Sequence, residues 1–307
     1  MDTPVVFFIF RRPEPTARVF EQIRRQKPAQ LIVIADGPRE GNATDLALTT
    51  AARAVVETID WPCEITRIYS ETNLGLRQRI LTGLDEVFER VDQAIILEDD
   101  CLPNTSFFEF CIQMLRKYRE TESIALVAGS NFAPYGKGKA DYFFSHTTFI
   151  WGWATWANRW KSFRDSPQVE NWTESEIDDV IATIPTRLQK REFVGLMKVA
   201  HGLNTWDVSL AVWIRQKRFL TVIPRLNLVE NIGFGQDATH TKFESFDVVP
   251  PVENFSGPVR HPSVIGVDSN LEKKMWKVKS LRWMTYPISH PFEFFRRSLR
   301  YLKSRGL

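Results

Sequence analysis

The first hundred residues alternate between short apolar segments and longer amphipathic ones, and this alternation constrains the fold more than any other feature of the chain. In a chain of this kind each helix carries the backbone back to the edge where the preceding strand began, so that successive strands lie parallel. The sequence therefore predicts an α/β fold, with a mostly parallel central sheet and helices on both faces. The predicted strands lie at 4–10, 31–35, 64–69 and 94–97, and the predicted helices at about 17–27, 43–58 and 76–90.

The later part of the chain is less regular. We expect one domain over residues 1–265, followed by a basic amphipathic segment over residues 266–307. Four tryptophans between 151 and 160 lie at near-helical spacing, which favours a buried helix face. Helices are predicted at about 105–119, within 173–199 and at 206–217, and strands at 124–128, 142–144 and 219–223.

Three consecutive carboxylates, Glu98, Asp99 and Asp100, directly follow the apolar run Ala94–Leu97. The carboxyl ends of parallel strands form the edge of an α/β sheet where ligands bind. Carboxylate oxygens at such an edge suit a hard divalent cation shared with substrate phosphates. Taken alone, the three acids fit equally well a strand that simply ends in solvent.

Polar residues also follow the first two predicted strands. Asp36 ends the second strand ahead of Gly37 and Pro38, where a carboxylate can accept hydrogen bonds from the ribose or base of a nucleotide. Asp before Gly is also common in plain turns, and that alternative stays open. Arg11 and Arg12 leave the first strand and supply cationic donors suited to phosphate, with a solvated pair as the alternative.

Composition is that of a soluble globular protein, with 43% hydrophobic and 25% charged residues. The three cysteines are odd in number and lack CxxC spacing, which predicts neither a disulfide framework nor a zinc site. No secretory signal opens the sequence, and no apolar run approaches the roughly 20 residues that a membrane span needs. We therefore expect a cytoplasmic protein.

The carboxyl-terminal segment has a strong charge bias. Residues 273–307 carry ten Lys or Arg against one acid, Glu293, and aromatic residues are interleaved with them. This pattern predicts docking on an anionic membrane surface, at the inner face of the membrane. Nucleic acid is the competing partner, and the absence of a nucleic-acid motif and the acidic remainder of the chain argue against it. The alternative is a purely structural role, in which this segment forms a helix that packs on the domain or on a partner protein.

The acidic stretch resembles a known motif. Ile96–Pro103, followed by Phe107–Phe110, is similar to the strand, Glu-Asp-Asp loop and aromatic helix of N-acetylglucosaminyltransferase I and its bacterial relatives, which are nucleotide-sugar transferases of the glycosyltransferase A fold. The loop is that family's version of the Asp-x-Asp motif. The resemblance implies that Asp100 binds Mn²⁺ or Mg²⁺ at the donor's diphosphate, and that Glu98 and Asp99 approach the donor's ribose and sugar.

Further segments share the resemblance. Phe8–Pro13 is similar to the family's first strand and Asn-Arg turn, with Arg12 matching the arginine and Arg11 standing where asparagine is more usual. Asn73–Arg77 takes the position of the helix start that helps to hold the diphosphate and base, which implicates Asn73 and Arg77 in donor binding. Together with Asp36, these residues form the expected donor site.

Three other segments extend the match over about residues 5–241. Trp151-Gly152-Trp153 looks like the family's Gly-Trp segment, which implies that Trp151 and Trp153 lie on the acceptor side. Asn231–Gly235 resembles a late Phe-Gly turn, and His240 beyond it would be a further metal ligand. A structural or solvent-exposed histidine is the alternative for His240.

The position of the catalytic base departs from the family pattern. The family has a Trp-Asp-Asp-Trp run, whereas this chain has Trp206-Asp207-Val208-Ser209. Asp207 matches the first acid and is the expected base, because an inverting transfer needs a carboxylate within hydrogen-bond reach of the acceptor hydroxyl. The alternative is that Asp207 caps the helix that follows it.

These features together predict a metal-dependent glycosyltransferase, of hexosyl or N-acetylhexosaminyl type, that moves a sugar from a nucleotide donor, in preference a UDP-sugar, to a glycan or lipid-linked acceptor. The resemblance implies inversion. One alternative is a sugar-phosphate nucleotidyltransferase, although Arg11-Arg12-Pro13 is not the glycine-rich loop that a triphosphate needs. The other is a catalytically silent sugar-binding or membrane-binding protein of the same fold.

Overall fold

The computed structural model describes residues 1–132, 139–167, 172–202, 206–233, 251–275 and 277. The strands within these residues are β1 (Val5–Ile9), β2 (Gln30–Ala35), β3 (Glu64–Tyr69), β4 (Gln93–Glu98), β5 (Cys101–Pro103), β6 (Ile124–Ala128), β7 (Tyr142–Ser145), β8 (Trp153–Trp156), β9 (Leu220–Pro224) and β10 (Val229–Asn231). The helices are α1 (Pro13–Gln26), α2 (Ala43–Val56), α3 (Leu76–Phe88), α4 (Thr105–Lys117), α5 (Ala157–Arg164), α6 (Glu174–Thr183), α7 (Arg187–Gly202) and α8 (Asp207–Gln216).

Eight of these strands form one sheet, in the order β3-β2-β1-β4-β8-β6-β9-β7. The four strands β3, β2, β1 and β4 are mutually parallel, and β6 pairs with β9 in parallel as well. Strands β7 and β8 run antiparallel to their neighbours. The prediction of an α/β fold with a mostly parallel central sheet is confirmed.

Helices cover both faces of the sheet because successive strand residues point to opposite sides. Val5, Phe7 and Ile9 of β1 pack in one apolar cluster, which includes residues of α1, α2 and α4. Val6 and Phe8 pack in a second cluster, which includes residues of α3, α5 and α8. Strands β1, β2 and β4 are almost entirely apolar and buried, as expected for strands covered on two faces, whereas the edge strand β3 is more polar.

The strand order reverses between β1 and β4. The chain moves outward from β1 through β2 to β3, and α3 then returns it across the sheet so that β4 pairs with the free side of β1. This reversal leaves a crevice at the carboxyl ends of the two strands, which is where α/β sheets bind ligands. Glu98, the last residue of β4, lies opposite Phe8 of β1 at this edge of the sheet.

A two-stranded ribbon brings a late segment to the same place. Strands β5 and β10 pair antiparallel, with Asn231 opposite Cys101. The ribbon continues beyond the ladder, since the amide of Ile232 donates to the carbonyl of Asp100 at 2.8 Å. Residues 229–233 are thereby fixed beside the acidic loop.

Most predicted elements are confirmed to within a few residues, but the tryptophan segment is an exception. Trp153 and Trp156 belong to β8, which inserts antiparallel between β4 and β6, and α5 begins only at Ala157. The predicted helical stretch 173–199 is two helices, because Ile184 adopts an extended backbone ahead of Pro185. The ribbon formed by β5 and β10 was not predicted.

The start of the predicted basic segment packs on the sheet. Glu272 accepts a hydrogen bond from Ser145 of β7 at 2.8 Å, and Leu271 and Met275 lie in the second apolar cluster. The rest of the segment, apart from Lys277, lies outside the described residues. Among the described helices, none is long and apolar enough to cross a membrane.

Other parts of the protein pack closely around Gly129, so one added methyl group there should have a large effect on stability. A Cβ on Gly129 would lie 2.4 Å from Cε2 of Phe107 and 2.7 Å from the carbonyl oxygen of Gly152. We expect Gly129→Ala to lower the free energy of unfolding by about 1–3 kcal/mol, the usual cost of overpacking. Denaturant unfolding measures this.

The control is Gly195→Ala. Gly195 lies in α7 with nothing within 4 Å of its added Cβ. Because alanine is the better helix former, we expect this variant to gain about 0.5–1 kcal/mol. Equal effects of the two substitutions would contradict the packing described here.

Candidate functional site

The acidic loop is held by one arginine that follows the neighbouring strand β1. Arg12, directly ahead of α1, forms ion pairs with Asp99 and with Asp100, the latter at 3.0 Å. The backbone amide of Phe10 also donates to Asp99 Oδ2 at 3.3 Å. The ends of β1 and β4 are therefore joined through side chains as well as through the sheet.

These contacts shift the protonation equilibria of the loop. Burial raises the pKa of Glu98, and the charges of Asp100 and Asp99 raise it further. Burial also raises the pKa of Asp99, although Arg12 opposes that shift. Burial acts to lower the pKa of Arg12, but Asp99 and Asp100 more than offset it and raise that pKa well above its ordinary value. The cluster thus favours binding of a further positive charge.

A glycine completes the contact between the loop and the ribbon. A Cβ on Gly233 would lie 2.3 Å from Asp100 Oδ2 and 2.8 Å from Arg12 Nη1. Any other residue at position 233 would displace the ion pair. Gly233 is fixed in turn by its amide, which donates to Asn231 Oδ1 at 2.9 Å.

Asp36 organises the loop ahead of α3. Its carboxylate accepts hydrogen bonds from the amides of Gly37, Leu74 and Gly75 and from the side chain of Asn73, all at 2.9–3.0 Å. Gly75 takes a φ of +80° immediately before the helix. Asp36 and Asn73 are thus brought together as the sequence predicts, and the carboxylate fixes the backbone around them.

The two arginines after β1 point in different directions. Arg11 donates to Asp45 of α2 at 2.6 Å, and Arg39 pairs with the same buried carboxylate. Arg12 instead faces the acidic loop. Arg77 is the second residue of α3 and lies beside the loop that Asp36 holds. Arg12 is thus the arginine in contact with the predicted metal ligand.

The tryptophans serve mainly to position α8. Trp153 is 1% exposed and its ring stacks on that of Trp206 at 5.7 Å between centroids, so it offers no free face to a sugar. Trp151 is partly exposed and contacts Phe132 edge to face. Because Trp206 occupies the cap position of α8, the Trp153 stack fixes where that helix begins.

Asp207 is the first residue of α8, and Trp206 is the cap. Asp207 thus lies in the first turn of α8, one position after the cap residue. Its carboxylate lies close enough to the acidic loop for its charge to contribute to the raised pKa of Glu98. The predicted base and Glu98 thus lie within electrostatic range of each other.

Asp207 also borders a cavity of about 200 Å³ on the side of α7 and α8. The sequence offered no signal for this cavity, because its residues come from segments far apart in the chain and share no motif. Its lining consists of Phe132, His146, Thr147, Thr148, Phe149, Ile150, Gln189, Phe193, Asp207, Val208, Ala211 and Arg215.

The donor set around Asp100 fits a loosely held divalent cation. Among the described residues, no three His, Cys, Asp or Glu side chains are placed to form a metal cage. The Asp100 side chain is 17% exposed whereas that of Asp99 is 4% exposed, so Asp100 is the more accessible ligand. One carboxylate, with water and substrate phosphates completing the shell, is a usual way of holding Mg²⁺. The predicted ligand His240 lies outside the described residues.

Comparisons with known proteins give distant matches. No protein-family model matches the chain, and no curated protein matches it. The mannosyltransferase PcManGT from Pyrobaculum calidifontis, solved in complex with GDP-Man and Mn²⁺, is 10% identical, with 70% of this chain and 68% of that chain covered and a TM-score of 0.40. A UDP-glucose pyrophosphorylase complexed with UDP-glucose is 10% identical, with 75% and 92% covered and a TM-score of 0.34.

A third match is HddC from Yersinia pseudotuberculosis, at 10% identity and a TM-score of 0.30. The alignment covers 43% of this chain and spans 59% of that chain. Matches at these identities and TM-scores assign neither a family nor an activity, so the function has to be argued from the site.

Removing the Asp36 carboxylate tests its role in the loop. In Asp36→Ala the amides of Leu74 and Gly75 lose their acceptor, and we expect the free energy of unfolding to fall by about 1–3 kcal/mol. Hydrogen exchange at these two amides should accelerate, because they would open to solvent. The control is Asp178→Ala, at an exposed position of α6. Unchanged exchange at Leu74 and Gly75 in the Asp36 variant would contradict this assignment.

Proposed function

We propose that the protein is a glycosyltransferase that moves a sugar from a nucleotide-sugar donor to a hydroxyl of a glycan or lipid-linked acceptor. The observation that carries this proposal is the placement of Glu98, Asp99 and Asp100 at the carboxyl end of β4, where the strand order reverses beside β1. The resemblance of the acidic loop to the Asp-x-Asp motif supports the same function.

The donor's diphosphate would bind at Asp100 and Arg12. Asp100 would hold Mn²⁺ or Mg²⁺, which neutralises the charge that develops on the leaving diphosphate. Arg12 is the cation already paired with Asp100, and its guanidinium can turn to a phosphate oxygen when the metal takes the carboxylate. Gly233 leaves the backbone close to both groups without a side chain in the way.

The nucleoside would lie across the carboxyl ends of β1 and β2. The loop at Asn73 and Arg77 is held against the end of β2 by Asp36, so its backbone is already ordered before a ligand arrives. Such ordering lowers the entropy cost of binding. A UDP-sugar is the donor we favour, on the resemblance.

The acceptor would approach from the side of α8. Asp207, at the start of this helix, is the base that would take the proton from the acceptor hydroxyl in an inverting transfer. The proton passes to the Asp207 carboxylate as the hydroxyl oxygen forms its bond to the sugar's anomeric carbon. The bond to the diphosphate breaks on the opposite side.

Substitution of Asp100 distinguishes a glycosyltransferase from a catalytically silent protein of the same fold. In wild-type protein with Mn²⁺ we expect a UDP-sugar or GDP-sugar to bind and to be slowly hydrolysed. In Asp100→Ala both binding and turnover should fall by about 100-fold or more, because several kcal/mol of metal-mediated charge stabilisation are lost. Calorimetric titration measures the binding, and release of the nucleoside diphosphate measures turnover.

The control is Asp92→Ala, at an acid that is 80% exposed and pairs with Arg119 on the surface. Wild-type protein that binds no sugar nucleotide with Mn²⁺, or an Asp100 variant that binds it as well as wild type, would overturn the transferase proposal.

We further propose that the basic carboxyl-terminal segment attaches the protein to the inner face of an anionic membrane. The support is the ten Lys or Arg among residues 273–307, interleaved with aromatic side chains. Each basic residue near such a surface contributes about 1 kcal/mol.

A truncation tests the membrane proposal. Because Met275 is 4% exposed in the core, the deletion should begin after Lys277 and remove residues 278–307. Wild-type protein should sediment with phosphatidylserine vesicles and not with phosphatidylcholine vesicles, and the truncated protein should sediment with neither. Equal sedimentation of both proteins with phosphatidylserine would contradict the proposal.

A further inference from the structure

Two residues that line the cavity beside Asp207 carry buried polar atoms for which the described protein supplies no hydrogen-bond partner. Gln189 lines it and is 2% exposed, and its Nε2 has no hydrogen-bond partner among the described residues. The buried hydroxyl of Thr147, also in the lining, likewise has no partner in the part of the chain that the structure describes. Buried polar groups are nearly always hydrogen-bonded, and the exceptions call for a ligand or another explanation.

The side chain of Gln189 is held in a defined orientation. The side-chain Oε1 of Gln189 accepts a hydrogen bond from the Thr186 hydroxyl at 2.8 Å. The same hydroxyl accepts a hydrogen bond from the backbone N–H of Gln189 at 3.2 Å. This reciprocal pair closes the start of α7 in the manner of a capping box. The contact with Thr186 uses only the side-chain oxygen of Gln189. The two N–H donors of Nε2 therefore remain for a ligand.

His146 adds an acceptor to the same cavity. Its Nδ1 lies 2.7 Å from the carbonyl oxygen of Phe219, which can only accept, so Nδ1 carries the proton. Burial lowers the pKa of His146, although the hydrogen bond to the Phe219 carbonyl opposes this shift. In this tautomer Nε2 has a free lone pair.

The charged groups of the cavity argue against an anionic ligand. Asp207 is an acid, and Arg215 is 8% exposed and lies 3.7 Å from Glu272. Glu272 also accepts from the Ser145 hydroxyl at 2.8 Å, which holds it in place beside Arg215. The single cation of the lining is therefore already balanced, while Asp207 would repel a phosphate or carboxylate.

Aromatic rings form the rest of the wall. Phe132 and Phe149 meet edge to face at 4.6 Å between centroids, and Phe193 is 4% exposed on the α7 side. Apolar ring faces combined with a few fixed donors and acceptors are the usual lining of a small-molecule site. The C–H faces of a pyranose match the rings, and its hydroxyls match the amide, hydroxyl and imidazole groups.

We propose that this cavity binds one uncharged pyranose ring, the residue of the acceptor that carries the reacting hydroxyl. The inference rests on the proposed function and specifies its acceptor. A volume of about 200 Å³ suits a single ring. Gln189 and Thr147 bind ring hydroxyls, and Asp207 meets the hydroxyl that reacts.

Saturation-transfer NMR with the full chain and a panel of neutral methyl pyranosides tests the proposal. The panel holds the α- and β-glycosides of glucose, galactose, mannose and N-acetylglucosamine. We expect at least one to bind wild-type protein, and to bind Gln189→Leu and Thr147→Val about three- to tenfold more weakly, the effect of one lost hydrogen bond. Thr147→Val is the cleaner variant because the hydroxyl it removes has no partner in the described structure.

The matched control is Gln113→Leu, at an amide on the surface of α4 that donates to Glu109 of its own helix. It should bind the pyranoside as wild type does, and thermal unfolding shows whether each variant is folded. UDP or GDP binding with Mn²⁺ is measured in parallel, and we expect it to be unchanged in all three variants.

The two sets of measurements separate the two proposals. If the nucleotide binds but no pyranoside does, or if both cavity variants bind the pyranoside as well as wild type, the cavity proposal is overturned and the donor site is left standing. If the pyranoside binds through Gln189 and Thr147 but no nucleotide binds, the transferase proposal fails while the sugar site remains.

Discussion

The ion pair of Arg12 with Asp99 and Asp100 is the interaction on which the rest of the site depends, because it joins the ends of β1 and β4 across the reversal of strand order. Burial raises the pKa of Asp99 and of Glu98, and the charge of the Arg12 guanidinium opposes this rise at both acids. Under the proposed function the same arginine also binds the donor's phosphate, so that ligand binding and loop stability would depend on one cation.

Two kinds of polar group elsewhere in the protein differ in how their hydrogen bonds are used. Asp36 accepts four hydrogen bonds within the chain and fixes a loop. Gln189 and Thr147 keep buried donors without partners in the described structure. A saturated carboxylate gives rigidity, whereas an unsatisfied amide raises the free energy of the empty site and lowers the cost of filling it. Under the proposed function, the rigid loop belongs to the donor site and the cavity to the acceptor site.

The sequence predicts the sheet well where strands are short and buried, because their apolar runs and turn residues are local signals. It also places Asp36 and Asn73 together, since both follow parallel strands and must share an edge. It misses β8 because four tryptophans at near-helical spacing span a strand and the helix after it. It misses the cavity at Gln189 and His146 because tertiary packing alone brings those residues together. Local pattern carries no information about such contacts.

The pairing of β10 with β5 has a consequence for how the protein is made. The acidic loop is synthesised well before residues 231–233, yet Asn231, Ile232 and Gly233 contribute the contacts that enclose Asp100. Pairings between segments so far apart in sequence form late, since the loop-closure entropy must be overcome first. Chains emerge from the ribosome amino terminus first, so the α/β half can assemble while its crevice is still open. The loop thus acquires its final shape only once the carboxyl-terminal half has docked.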